Sequence, residues 1–216
     1  MSGGAAPFRF VLATRNPGKV REITATYGHL EIVWLSLIDL PEIGAVAEEG
    51  ATYAENAAAK ARTVSMASGL PALADDSGVE IDALGGAPGV HSARFLGPAA
   101  TDAERNTRIL QLLQEIPDPR RTARYVAAVA LARPDGAVRV FEGTCEGSIA
   151  TRPRGAGGFG YDPIFVPRGE TRTMAEVPPE VKNRISHRAR ALRAAAPCVV
   201  EILHEQGKDQ PAGSAK

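Results

Sequence analysis

Cysteine is scarce in this 216-residue chain: Cys145 and Cys198 are the only two, far apart in sequence and matching no zinc-ligand spacing. A disulfide framework and a Cys/His metal site are therefore excluded, and reduced structural thiols are expected. No apolar run approaches the roughly 20 residues that a membrane-spanning helix needs. An excess of one charge is missing as well, since Lys and Arg total 25 against 25 Asp and Glu. That balance argues against a partner such as a nucleic-acid polymer, which calls for a basic surplus. Any phosphate recognition must be local. Met1 to Pro7 lacks the charged and apolar regions of a signal peptide, so a cytoplasmic protein is expected. Internal repeats, a Gly-x-Ser-x-Gly elbow and a Walker A loop are all absent.

What is present reads as one domain over 8–206, with irregular ends at 1–7 and 207–216 rich in Gly, Ala and Pro. Apolar runs predict strands at 8–13 and 31–37, separated by a helix over 20–27. Thr52-Tyr53-Ala54-Glu55 is a capping box that opens an Ala-rich helix stopped by Gly69. A strand over 70–74 is expected to run out into a turn at Asp75-Asp76, with a further strand at 79–83. A second capping box, Thr101 to Glu104, opens a helix to about Ile116. Arg133-Pro134-Asp135-Gly136 joins two strands, 122–132 and 137–149, as a hairpin. A short strand follows at 164–166, then helix from Pro179 and again from Ser186 to Glu205, kinked or split at Pro197. Helices alternate with strands early and a hairpin comes late, so the fold class is α/β with a mixed sheet covered by helices.

Four segments carry chemistry. Asp75-Asp76-Ser77-Gly78 follows an apolar run, and open α/β sheets bind ligands where strands end. Adjacent carboxylates are costly unless neutralised, and oxygen ligands of this kind suit Mg²⁺. Asp-Ser-Gly is equally good turn chemistry, and on this segment alone both readings stand. Thr14-Arg15-Asn16-Pro17-Gly18-Lys19 has the form of a phosphate loop at a helix N-terminus, with Lys19 adding a point charge. Gly157 to Pro163 sets Phe159 and Tyr161 among glycines, which suits a backbone pressed against something flat. An aromatic ring there can stack on a base; the competing reading is a loop whose aromatics fill the core, as at least one of the two is expected to. Lys182 to Arg188 gathers cations at a helix start, with Ser186 as the cap. Cations there oppose the macrodipole and need another reason, such as an anionic or carbonyl-rich ligand; a solvated basic face is the competing reading, which the unfavourable position weakens. The sum is a Mg²⁺-dependent enzyme acting on a nucleoside phosphate.

Taken in order, Ala13 to Lys19, Glu48-Glu49-Gly50 with Glu55-Asn56-Ala57 and Lys60-Ala61, Ala74 to Gly78, Gly85 to Gly89 with Ser92-Ala93-Arg94, Gly157 to Pro163, and Ser186-His187-Arg188 resemble the inosine triphosphate pyrophosphatases. The similarity runs from about Phe8 to Leu203. It implies an elongated two-lobed fold around a long mixed sheet, a cleft for the ligand, and a homodimer. It also implies Mg²⁺-dependent hydrolysis of dITP, ITP or XTP to the monophosphate and pyrophosphate. In the resemblance Asp76 is the catalytic proton acceptor, and Glu49 and Asp76 serve the metal. Thr14, Arg15, Asn16, Pro17, Gly18 and Lys19 hold the triphosphate. Ser77, Phe159, Gly160, Tyr161, Asp162, Lys182, His187 and Arg188 line the substrate. Two other classes remain as alternatives: a nucleotide-binding regulator without catalysis, and a Maf-type pyrophosphatase, against which the Ser-His-Arg segment argues.

Overall fold

The computed structural model describes residues 7–44 and 46–209. The irregular ends expected at 1–7 and 207–216 thus lie mostly outside the described residues, although 207–209 continue the last helix. The chain runs β1 (Phe8–Leu12), α1 (Pro17–Thr26), β2 (Ile32–Ser36), α2 (Tyr53–Ser68), β3 (Ala72–Ile81) and α3 (Asp102–Leu112). β4 (Thr122–Ala132), β5 (Val138–Ile149), β6 (Phe165–Pro167), α4 (Pro179–Ile185) and α5 (His187–Asp209) complete it. The strands form one six-stranded sheet in the order β2-β1-β3-β4-β5-β6. β2, β1 and β3 are parallel, whereas β4, β5 and β6 alternate antiparallel. The mixed α/β fold expected from the sequence is thereby borne out.

Both capping boxes form. Thr52 accepts from the Glu55 N–H while the Glu55 carboxylate accepts from the Thr52 N–H, and Thr101 with Glu104 does the same. Gly69 ends α2 in the left-handed conformation, where a side chain would be strained. Elsewhere local signals mislead. α1 begins three residues before the expected Val20, because Asn16 caps it through its side chain and Pro17 suits the first turn. α3 stops at Leu112, short of Ile116. Pro197 sits inside α5, which remains one helix.

The largest departure concerns the aspartates. No turn separates 70–74 from 79–83; β3 is one ten-residue strand, and β4 pairs with it from Ala72 to Ile81. Pairing along its whole length outweighs the turn propensity of Ser77-Gly78. Gly78 is needed for proximity rather than for bending: a Cβ there would run into the Gly89 carbonyl and sit 2.9 Å from the Tyr53 hydroxyl.

Alternation along β3 decides which layer each side chain joins. Leu73 packs with Ile23 of α1, with Tyr27 just beyond that helix, and with Leu192 and Val199 of α5. Ala72 and Ala74 pack on the other face against Ala57, Ala61 and Val64 of α2. A third core, with Ile109, Tyr161, Ile164 and Phe165, surrounds the far ends of β3 and β4. β1 pairs with β3 only at Ala72 and Leu73 before the chain turns away. Among the described residues, β3 from Ala74 to Val79 has no strand partner on that side. This open edge, where the parallel strands give way to antiparallel ones, is the switch point at which α/β sheets bind ligands.

A charged cleft at the open edge of the central strand

Asp75 and Asp76 leave β3 on opposite faces. Asp76 points toward α2, where its Oδ2 accepts from Asn56 Nδ2 at 3.0 Å and Lys60 Nζ lies 3.4 Å from Oδ1. Asp75 points toward α1 and α5. Its Oδ2 lies 2.7 Å from Lys19 Nζ, and Arg188 grips it through Nε at 3.0 Å and Nη2 at 3.1 Å. The unpaired edge carbonyl of Asp75 is satisfied by two ammoniums, Lys19 and Lys60, each at 3.1 Å. Asp76 lines the cavity along this edge and Asp75 does not.

The basic helix start is explained by internal carboxylates as much as by any ligand. Arg188 also meets Glu22, which salt-bridges Lys182 at 2.7 Å, and Lys182 pairs in turn with Asp162. Glu22 and Tyr125 were not singled out by sequence, and Asn56 and Lys60 entered only as part of the family resemblance, with no role given to them. Glu22 and Lys60 look like surface charges on α1 and α2 until the opposite partner is known. The one available signal was Asn56-Lys60 spacing, which puts both on one helix face four residues apart.

Burial and charge set the protonation states. Burial alone would raise Asp75, but the Arg188 guanidinium and Lys19 ammonium overcome it and hold the carboxyl well below its ordinary range. Glu22 is likewise lowered, Arg188 and Lys182 outweighing burial. Burial pulls Lys60 down, yet Asp76 and Glu48 reverse this and raise it. Asp162 is the exception, raised because its burial outweighs Lys182.

His187 stacks on Tyr125 with ring centroids 4.4 Å apart and 8° between planes. Burial first, and then the Arg188 charge, push it well below its usual value, so the imidazole is neutral at pH 7. An unfolded imidazole takes up a proton as pH falls through about 6.5, and the folded one does not. The unfolded state thus binds the extra proton, and stability falls as pH drops below that value. The lowered carboxylates Asp75 and Glu22 add a second loss below about pH 4. His187→Phe is expected to flatten the melting temperature between about pH 5 and 6.5 while leaving the lower-pH loss. Thermal melts across that range check it; an unchanged slope contradicts the neutral assignment.

Sequence-predicted residues sort clearly. Asn16, Lys19, Ser77, Gly160, Asp162, Lys182, His187 and Arg188 line the same cavity as Asp76. Phe159 joins them: Lys182 Nζ lies 4.9 Å and Arg188 Cζ 5.4 Å from its ring centroid. The ring rests on Gly18, where a Cβ would come within 2.5 Å of it. Gly18 is therefore a seat for the aromatic ring. Tyr161 touches the cavity but is buried, its hydroxyl donating to the Ser92 carbonyl. Thr14, Arg15 and Pro17 stand outside the lining. Thr14 Oγ1 accepts from the Asn16 N–H, and Arg15 donates to the Ile43 carbonyl at 2.8 Å, tying this loop to its neighbour.

Of the paired glutamates, Glu48 lines the cavity and Glu49 is exposed outside it. Glu48 salt-bridges Lys60 at 2.8 Å and Arg94 at 3.0 Å. Among the described residues no group of three or more His, Cys, Asp or Glu could hold a metal ion alone. Asp76 and Glu48 nevertheless face one cavity with carboxylate oxygens, the donor set of a hard divalent cation that completes its shell from ligand and water.

Fold and cleft together define an α/β protein with a charged cavity at the switch point of a mixed sheet, its cations interleaved with carboxylates under an aromatic ring. The chain belongs to the Ham1 family, whose model matches residues 10–198. It is 47% identical over 200 residues to the dITP/XTP pyrophosphatase of Geobacillus kaustophilus, covering 93% of this chain and 98% of the relative. To the dITP/XTP pyrophosphatase of Thermus thermophilus it is 51% identical over 186 residues, 86% of this chain and 89% of that one. The solved HAM1 protein of Coxiella burnetii superimposes with a TM-score of 0.80 at 42% identity, covering 90% of this chain and 99% of that one. The family resemblance noted in the sequence is borne out.

Proposed function

We propose that this protein hydrolyses dITP and XTP, and ITP with them, to the nucleoside monophosphate and pyrophosphate. The observation that carries the reading is Asp76: a carboxylate at the open edge of the central strand, between a phosphate-side lysine and an aromatic ring backed by cations. The names of the close relatives support the substrate class.

The charged side chains lining the cavity are four cations, Lys19, Arg105, Lys182 and Arg188, and four anions, Glu48, Asp76, Asp102 and Asp162. Formal charge therefore cancels, and a triphosphate entering it needs positive charge brought in from outside. Mg²⁺, held by Asp76 and Glu48, would supply that charge and polarise the phosphate oxygens. Asp76 orients a water and takes its proton as the water oxygen attacks the α-phosphorus in line. The bond from that phosphorus to the α–β bridging oxygen breaks, and pyrophosphate leaves. Asn56 keeps the Asp76 carboxylate aimed, Lys60 bridges Asp76 and Glu48, and Lys19 offsets charge on the phosphates. The base stacks against Phe159. Donors of the Lys182–Arg188 segment meet the 6-keto oxygen of hypoxanthine or xanthine. Adenine carries an amino donor there, so the pocket's donors would go unpaired, a mismatch worth about 10⁴-fold where the site is built to hydrogen-bond. A cytoplasmic homodimer belongs to the same reading.

Identification of the products tests this: phosphorus NMR of a dITP digest should show dIMP and pyrophosphate, and orthophosphate as the first product would reject it. Metal removal gives a further expectation. Chelation should abolish turnover, and Glu48→Gln should raise the magnesium concentration for half-maximal rate about tenfold, as loss of a ligand or its partner does. Glu49→Gln should leave it unchanged; the reverse result returns the metal to Glu49.

A further inference from the structure

Asp75 contributes nothing to the cavity wall, yet two of the cations that line that cavity, Lys19 and Arg188, converge on its carboxylate. Its side chain has no exposure at all. One carboxylate oxygen meets Lys19 at 2.7 Å and Arg188 Nη2 at 3.1 Å, and the other meets Arg188 Nε at 3.0 Å. Ser77 Oγ donates to the same carboxylate at 3.1 Å and accepts from Arg188 Nη2 at 2.9 Å, closing a small ring of bonds. The carbonyl of the same residue takes Lys19 and Lys60. Lys19 comes from α1 and Arg188 from α5, elements that enclose the cavity from different parts of the chain.

We infer that Asp75 is a positioning residue that holds Lys19 and Arg188 in mutual register, coupling the phosphate end of the site to its base end. The inference rests on the reading above, in which Lys19 serves phosphates and Arg188 the base. A lysine side chain is flexible and a guanidinium is a rigid fork. One rigid strand residue bonded to both fixes the distance between them without entering the cavity. Such a device sets substrate length and orientation before binding, and a displacement of about 1 Å can cost about 10²-fold in rate.

The test separates the two ends with two probes, inorganic tripolyphosphate and inosine, each titrated by NMR with magnesium present. Phe159→Ala should weaken inosine alone, which establishes the base end; if it leaves inosine binding unchanged, the reading and the inference both fall. Asp75→Asn keeps the shape of the side chain and should weaken both probes at least about threefold each, the scale of coupling within one charge network. Its kcat/KM for dITP should fall about 10²-fold, with the drop in kcat as well as KM. A purely structural role would lower the melting temperature and leave both probe affinities near wild type, and that result overturns the inference. Should Asp75→Asn not fold, Lys19→Met answers the same question: loss of this phosphate-side cation should weaken inosine about threefold through Asp75. Unaltered inosine affinity in that variant overturns it equally.

Discussion

Asp76→Asn should lower dITP turnover by about 10³-fold while the protein folds normally, the loss typical of removing a positioned general base. The amide matches the carboxylate in size. It can still accept from Asn56 Nδ2, which bonds Oδ2 at 3.0 Å, so the α2 face of β3 keeps its contacts. What it loses is the ability to take a proton from water and the negative charge offered to a cation. The two losses are separable, because added magnesium can restore weakened metal binding but cannot restore a base. Steady-state rates at saturating magnesium, with a thermal melt beside them, check the expectation. Near-normal hydrolysis would remove Asp76 from the centre of the account.

Arg188→Ala should have its largest effect on stability, costing about 3–5 kcal/mol, as removal of one partner from a buried ion pair does. The family resemblance places Arg188 among the residues that line the substrate. In the fold it is 2% exposed and bonded to Asp75, Glu22 and Ser77. Truncation leaves two lowered carboxylates in the interior, with Lys19 and Lys182 as their remaining partners. Against a total stability of about 5–15 kcal/mol, that is a large fraction. Urea denaturation measures it. The double variant with Asp75→Asn should cost less than the sum of the two singles, because the second change removes a charge the first left unpaired. Strict additivity would contradict the pairing.

The α/β class, the two capping boxes and the hairpin were legible in sequence because each rests on local spacing. The candidate site residues came from the family resemblance rather than from spacing, and eight of them meet at one cavity with Asp76 and Phe159. What local reasoning could not supply was pairing over distance. The Asp-Ser-Gly stretch favours a turn by itself, and only β4 running alongside makes it strand. Gly18 suggests a phosphate loop until the Phe159 ring is found resting on it, 141 positions away in sequence. Glu22 and Lys60 gain meaning solely from partners on other elements. Between Glu48 and Glu49 the sequence offers no physical distinction, and the loop's path decides which one faces inward.

Initial rates of pyrophosphate release from dITP, XTP, dATP and dGTP, compared at one enzyme concentration with magnesium, test the central claim most directly. The account predicts dITP and XTP far ahead, with dATP slower by about 10⁴-fold because its 6-amino group leaves the pocket's donors unpaired. Equal release from dATP and dITP would contradict it.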